Sequence, residues 1–311
     1  MTLSEHNAPN LTRVVEAIGS KSPFQKKSSN QYLSTADARF FEFAEGWVSR
    51  LMAALGDQGT PDKLAEAYVW YTKLIRIEEL YFAKEKKYRF ENFDEVNERV
   101  YSRDDYMVDY VVGLGMTQLF WPNHYGIVRF FLDTFIPTVR AAKRGAEVGV
   151  GHGLFHSQLL AGAPEIETHM LDISPTSLAF THKVIEAMGM DKDRATPVLG
   201  DIQKQMPVED ESLDALLFGE AIEHLQEGEK VFSQLATKMK PDGRCFFTTA
   251  ANAPAEDHIL LFRGVGEIRD VIDACGWSIL EEFTATLGDM SVEQAERENQ
   301  NINYAAVLAK K

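Results

Sequence analysis

The sequence predicts an α/β protein, with a mainly parallel sheet in the C-terminal half and an all-helical unit before it. Three observations carry this expectation. From Thr35 to Arg140 the apolar period is helical. After residue 143, short strand-like runs alternate with helical stretches. At the first strand-to-helix junction, "AEVGVGHG" (residues 146–153) sets Gly149, Gly151 and Gly153 behind the acidic Glu147.

Residues 1–33 hold Pro9, Pro23, Lys21, Lys26 and Lys27 among several Ser and Asn, and read as a flexible arm with a short helix near "LTRVVEAIG". Residues 34–140 read as a helical substrate or lid domain. Within it Phe40, Ala44, Trp47, Leu51 and Leu55 fall on one helical face. "GTPDKLAEAYVWYTKLI" opens with Thr60 as N-cap and Pro61 at the first helical position. Ser102 and Asp105 form a weaker capping-box variant ahead of "YMVDYVVGLGMTQLF". Pro122 ends that helix, and another is predicted through "YGIVRFFLDTF".

Residues 141–311 read as the α/β domain. Its strand-like runs are "GAEVGV", "ETHMLDI", "ATPVLGD", "DALLFG" and "GRCFFTTA", separated by helical stretches that imply right-handed crossovers. The last two runs, "WSILEEFTATLG" and "YAAVLAKK", have no helix between them long enough for a parallel crossover, so they are expected to pair antiparallel.

Glycines at a strand-to-helix turn bare the backbone beside free helix N–H groups, which suits a ligand lying against the chain. The dinucleotide fingerprint G-x-G-x-x-G fails, because its last position falls on Leu154 or His156. Asp172 ends the second strand, where a carboxylate can accept hydrogen bonds from both ribose hydroxyls. Asp201, in "LGDI" after the third strand, suits an exocyclic adenine amine, with Ile173 and Ile202 flanking the ring.

In combination, "EVGVGHG", "LDIS", "GDI", "GEAIEHL", "MKPDGRCFFTTAANAP" and "GEIRDVIDACGW" make residues 144–311 resemble a class I S-adenosylmethionine-dependent methyltransferase of the small-molecule type. The resemblance implies a Rossmann-like seven-stranded sheet of order 3-2-1-4-5-7-6. It places Glu147, Gly149, Gly151 and Gly153 around the methionine portion, Asp172 at the ribose and Asp201 at the adenine. Gly219 and Glu220 would face the methionine amine.

"GEAIEHL" (residues 219–225) resembles a segment of ubiquinone-pathway O-methyltransferases and of metal-dependent small-RNA methyltransferases. The first likeness makes His224 a candidate general base. The second implies a divalent-metal set of Glu220, Glu223, His224 and His258, an alternative not favoured here. His124, just past Pro122, is the second candidate base. Trp121, Tyr125, Asn252 and His258 are expected beside a substrate. The aromatic content of the helical half favours an apolar or aromatic small molecule.

Composition excludes other classes. A net charge of −15 disfavours a nucleic-acid partner, which needs a basic face. No apolar run is long enough for a membrane span, and "MTLSEHNAPN" does not read as a signal peptide. Cys245 and Cys275 are expected as buried, reduced thiols in a cytoplasmic protein. A homodimer is compatible with the sequence. The competing classes are a nicotinamide-dependent dehydrogenase and a non-catalytic binding protein on the same fold.

Overall fold

The computed structural model describes residues 7–288 and 290–311 of the chain. Residues 7–33 depart from the expected arm; the polar start of the chain, residues 1–6, lies outside the described residues. Helix α1 (Pro9–Lys21) buries Leu11, Val14, Val15 and Ile18, and α2 (Pro23–Leu33) follows with Ser22 capping the amide of Gln25. The spacing of those four apolar residues builds one helical face, and burying such a side chain stabilises by roughly 1.5–3 kcal/mol. That is why α1 docks onto its neighbours rather than remaining loose.

Helix α3 (Ala38–Leu55) starts at Asp37, whose carboxylate accepts from Phe40 N, and its predicted face is buried, with Leu55 partly so. Helix α4 (Pro61–Glu85) begins as expected, with Thr60 Oγ1 accepting from Lys63 N at 3.1 Å. Helix α5 (Phe93–Val96) runs on as a π turn through Tyr101. Helix α6 (Asp104–Phe120) forms without the expected Ser102 cap; Asp104 and Asp105 in its first turn complement the helix dipole instead. Helix α7 (Pro122–Phe130) continues through a π turn, Phe131–Phe135, into α8 (Ile136–Thr138).

The sheet comprises β1 (Arg144–Val148), β2 (Glu167–Asp172), β3 (Ala195–Leu199), β4 (Leu213–Gly219), β5 (Met239–Ala251), β6 (Trp277–Thr286) and β7 (Ile302–Lys310). Its order is β3-β2-β1-β4-β5-β7-β6, the expected one. The first five strands are parallel, and β7 pairs antiparallel with both β5 and β6. β1 stops at Val148, two residues before the predicted end, because Gly149 already turns the chain. Helices α9 (Leu154–Gly162) and α10 (Pro175–Ala187) share one face of the sheet with α7 and α8. The other face is covered by α11 (Gly228–Lys238) and α12 (Val265–Ala274). Helix α13 (Val292–Glu298) bridges β6 and β7, too short for a parallel crossover.

Phe40, Trp47, Tyr68 and Val111 of the helical half share a core with Leu154, Phe180 and Val184 of α9 and α10. This packing holds α6 and α7 near the C-terminal ends of β1, β4 and β5, where open α/β sheets bind their ligands.

Candidate active site

A cavity of about 860 Å³ lies between these strand ends and helices α4, α6 and α7. At its floor the glycine turn adopts left-handed backbone, with φ of +78° at Gly149, +47° at Gly151 and +75° at Gly153. A methyl added to Gly151 would meet nothing within 4 Å, so the backbone here is bared toward open space. Gly153 does something else. Its missing Cβ would lie 2.9–3.1 Å from atoms of Thr181, so this glycine lets α9 begin against α10 and does not line the cavity. The expected ligand contact is therefore confined to Gly149 and Gly151.

Glu147 lines the cavity, and its Oε2 lies 2.9 Å from Nδ1 of His156, whose Nε2 is 2.8 Å from Thr168 Oγ1. Burial pushes the Glu147 carboxyl well above its usual range, with the Asp172 charge adding to it, and pulls His156 down to about 3. Burial thus works against the charged form of both partners in this hydrogen-bonded pair. Nothing local in the sequence announced His156 as the partner of Glu147.

Asp172 and Asp201 line the same cavity from the ends of β2 and β3, beside Ile173 and Ile202. Asp172 accepts from Ser174 N at 2.8 Å, and burial raises its carboxyl to about 6 despite the backbone donors around it. Asp201 accepts from Gln203 N at 3.0 Å and pairs with Lys204 at 3.1 Å, a turn role that leaves it on the wall. Bare backbone at β1 and carboxylates at β2 and β3 fit a nucleoside joined to an amino acid. Two consequences follow for Asp172. Asp172→Ala is expected to weaken nucleoside binding about tenfold or more, since hydrogen bonds to a charged acceptor are worth roughly 1.5–3 kcal/mol. A ribose also favours the ionised carboxylate, so affinity should rise as pH increases through about 6 and lose that dependence in Asp172→Ala. Calorimetry with S-adenosylhomocysteine between pH 5 and 8 checks both (range chosen to straddle that value).

At the end of β4, Gly219 and Glu220 line the cavity. Glu220 takes a left-handed φ of +46°, and its amide donates to Thr248 O at 2.9 Å. Its Oε1 is buried without a hydrogen-bond partner. Glu223 lies behind the wall, fully buried, with Oε2 accepting from Thr249 Oγ1 at 2.9 Å. Burial raises both carboxyls, Glu223 strongly because Glu220 is close.

His224 and His258 line the cavity edge to face, with ring centroids 4.7 Å apart. His224 Nδ1 lies 3.0 Å from the Asp257 carbonyl oxygen, and His258 Nδ1 lies 2.6 Å from that of Ala253. A carbonyl only accepts, so both rings carry their proton on Nδ1 and present an Nε2 lone pair. Burial lowers His258 to about 4, the neighbouring His224 adding to it. Donor atoms of Glu223, His224 and His258 lie within 4.8 Å of one another.

Sequence reading missed the group above His224. Tyr110 and Tyr101 both donate to Asp257 Oδ2, at 2.6 and 3.0 Å, and Asp257 Oδ2 is 3.5 Å from His224 Nδ1. Burial opposes ionisation of Asp257, but the two imidazoles and the phenol donors outweigh it and hold its carboxyl below the usual range. On the lid, Trp121 and His124 line the cavity in edge-to-face contact at 4.8 Å. His124 Nδ1 lies 2.8 Å from Thr117 Oγ1, and burial lowers it to about 4. Tyr125 does not reach the cavity: it packs edge-on to Phe40 at 4.9 Å in the helical core. Asn252 is on the wall, with a φ of +49° and its Nδ2 donating to Arg263 O at 2.9 Å.

The family described as "Methyltransferase domain" matches residues 146–247. A malonyl-[acyl-carrier protein] O-methyltransferase of Methylococcus capsulatus is 28% identical over 125 residues, 39% of this chain. The match spans 42% of that relative's own length. Among solved structures, the mitomycin 7-O-methyltransferase aligns over 81% of this chain and 70% of its own, with a TM-score of 0.53 and 11% identity. Geranyl diphosphate methyltransferase, solved with S-adenosylmethionine, aligns over 64% and 90% respectively, with a TM-score of 0.50 and 13% identity. These two show the fold. S-adenosylmethionine is the cofactor taken by domains of this family, and the donor set described above fits it. Residues 146–247 thus match the methyltransferase-domain family, on the fold of these two solved methyltransferases.

Proposed function

We propose that the protein transfers the methyl group of S-adenosylmethionine to a small-molecule acceptor, with His224 as general base. The observation that supports this most directly is the placing of His224. It lies on the cavity wall beyond β4, its Nδ1–H is fixed on the Asp257 carbonyl, and its Nε2 takes no hydrogen bond among the described residues. The cofactor supplies an already activated sulfonium methyl. What this chain must add is alignment of the acceptor and removal of its proton where it carries one. Asp172, Asp201, Gly149 and Gly151 would hold the nucleoside and methionine portions, and His224 Nε2 would accept the proton. Asp257 beside Nδ1 would stabilise the imidazolium so formed. The helical roof, with Tyr101, Tyr110, Trp121 and His124, would exclude water and shape the acceptor site. A roofed cavity and a net charge of −15 favour a small molecule over a nucleic acid. Among the described residues no helix is long and apolar enough to cross a membrane, and the buried free thiols Cys245 and Cys275 support a reducing, cytoplasmic setting.

Calorimetric titration separates this from the dehydrogenase reading. S-adenosylmethionine and S-adenosylhomocysteine are expected to bind, and NAD is not. Binding of NAD with no response to S-adenosylhomocysteine would reverse the assignment.

One observation favours a second reading. Glu223, His224 and His258 bring a carboxylate and two imidazoles together, and each ring donates its other N–H to a carbonyl, as metal-binding histidines do. Such donors suit Mn or Fe. In that case dialysed protein should take up one Mn²⁺ in a direct binding measurement, and His258→Ala should abolish the uptake. Lack of uptake removes the metal reading and leaves the base role to be tested by His224→Ala.

A further inference from the structure

Three buried oxygens without hydrogen-bond partners belong to residues lining the cavity: Asn252 Oδ1, Asp257 Oδ1 and Asn301 Oδ1. All three are acceptors. Among the described residues, no unpartnered buried nitrogen or hydroxyl belongs to a cavity-lining side chain. The Asn252 amide cannot be reversed to change this, because its Nδ2 is committed to the Arg263 carbonyl. A native protein rarely buries acceptors without donors, and acceptors on a cavity wall are open to the donors of a ligand.

The cofactor accounts for part of this demand, and its carboxylates are on the β2 and β3 side of the cavity. Asp257 and Asn252 are elsewhere, in the segment after β5, beneath Tyr101 and Tyr110. Asp257 is only 1% exposed, and no Lys or Arg among the described residues pairs with it; its one ion-pair contact is His224. Tyr110, Tyr101 and His224 all meet its Oδ2 side, which leaves Oδ1 as the edge of the carboxylate without a donor. Tyr71, Tyr101, Tyr110 and Trp121 line the same cavity, with the Tyr71 ring 5.4 Å from Tyr110 and 6.3 Å from Trp121. Aromatic faces attract cations, and the phenol hydroxyls of Tyr101 and Tyr110 are already committed to Asp257 Oδ2 rather than Oδ1.

We propose, resting on the methyltransferase reading above, that the acceptor is a cationic amine whose ammonium group is recognised by Asp257, with Asn252 as a further acceptor on the same wall. Donors without acceptors are what an ammonium offers, and the wall presents the complement. A neutral polyol matches less well, since each hydroxyl also brings lone pairs that this wall has no free donors to meet. An anionic acceptor would face Asp257 directly and is excluded by like charge. Asp257 is then the residue that determines specificity.

The test uses the full chain, chelator-treated and saturated with S-adenosylhomocysteine, whose own binding is measured first and reports on the cofactor reading separately. The probes are 2-phenylethylamine and its neutral counterpart 2-phenylethanol, compared by calorimetry. The amine is expected to bind at least about tenfold more tightly, the difference expected of a charge-assisted hydrogen bond. In Asp257→Asn that preference should disappear while 2-phenylethanol and S-adenosylhomocysteine bind as before. Equal affinity for amine and alcohol in the unmodified protein, or no amine binding at all, overturns the proposal without any variant. An amine preference that survives in folded Asp257→Asn also overturns it, as does an amine preference seen only when divalent metal is restored.

Discussion

Replacing His224 with alanine is expected to lower kcat by about 10²- to 10⁴-fold, the range for loss of a positioned general base. Cofactor binding should survive, because the nucleoside-facing groups lie on the other strands. The imidazole is well suited to the role: the Asp257 carbonyl fixes its tautomer at 3.0 Å, and the Asp257 carboxylate is 3.5 Å from the same nitrogen. His124 is the less suited ring, because burial without a charged partner holds it near 4 and leaves it a poor proton acceptor at neutral pH. The measurement is a steady-state comparison, with and without chelator, once an acceptor is in hand. A His224→Ala enzyme at full speed would remove His224 from the mechanism and shift attention to His124. A chelator-sensitive parent enzyme would instead move His224 into the metal reading. Tyr101→Phe gives an internal control. It removes a hydroxyl that contacts both His224 and Asp257 without removing the base, so its effect should be far smaller than that of His224→Ala.

The parts of this site that were legible in the sequence are those carried by local patterns. Alternating strands and helices gave a mainly parallel sheet covered by helices, and the family resemblance supplied its strand order. Glycines, Asp172, Asp201 and "GEAIEHL" each sit at a strand end, so knowing the strands placed them on one edge. What could not be read was side-chain encounter across long separations. Asp257 meets Tyr110 and Tyr101 over 147 and 156 residues, and no spacing rule connects a loop after β5 with helices that precede β1. In the "AEDH" segment His258 stands out in the sequence, but Asp257 reads as an ordinary polar loop residue until those tyrosines close over it.

Two errors had signals available. Residues 9–33 are composed like an arm, and the helix expected near "LTRVVEAIG" is present as α1, but the face of Leu11, Val14, Val15 and Ile18 already signalled its docking, and Ser22-Pro23 a second helix start. Polar composition outweighed periodicity there, and periodicity was the better guide. Tyr125 was placed at the substrate from its nearness to Trp121 and His124. Tyr125 lies four positions after Trp121, but α7 begins at Pro122, and the turn between the helices sends Tyr125 back to Phe40. Adjacency in sequence across a helix break says little about a shared face.

Gly151→Val is expected to abolish tight cofactor binding while the protein stays folded, whereas Gly153→Val is expected to unfold at a distinctly lower temperature. The two glycines look alike in sequence, and both have positive φ, at +47° and +75°. A β-branched residue in that region costs roughly 1–2 kcal/mol in either place. What separates them is space. The Cβ of residue 151 meets nothing within 4 Å, so the valine fits the empty protein and fills the volume where the cofactor backbone would lie. Overlap of that kind typically costs about 1–3 kcal/mol, giving about a ten- to a hundredfold loss of affinity. The Cβ of residue 153 lies 3.0 Å from the Thr181 Cα, which is backbone inside α10 and has no rotamer to yield. Its strain is paid by the fold. Thermal melts and S-adenosylhomocysteine titrations of both variants decide the matter. Unchanged affinity in folded Gly151→Val would mean that the cofactor does not approach this turn, and the assignment of the cavity floor would fall with it.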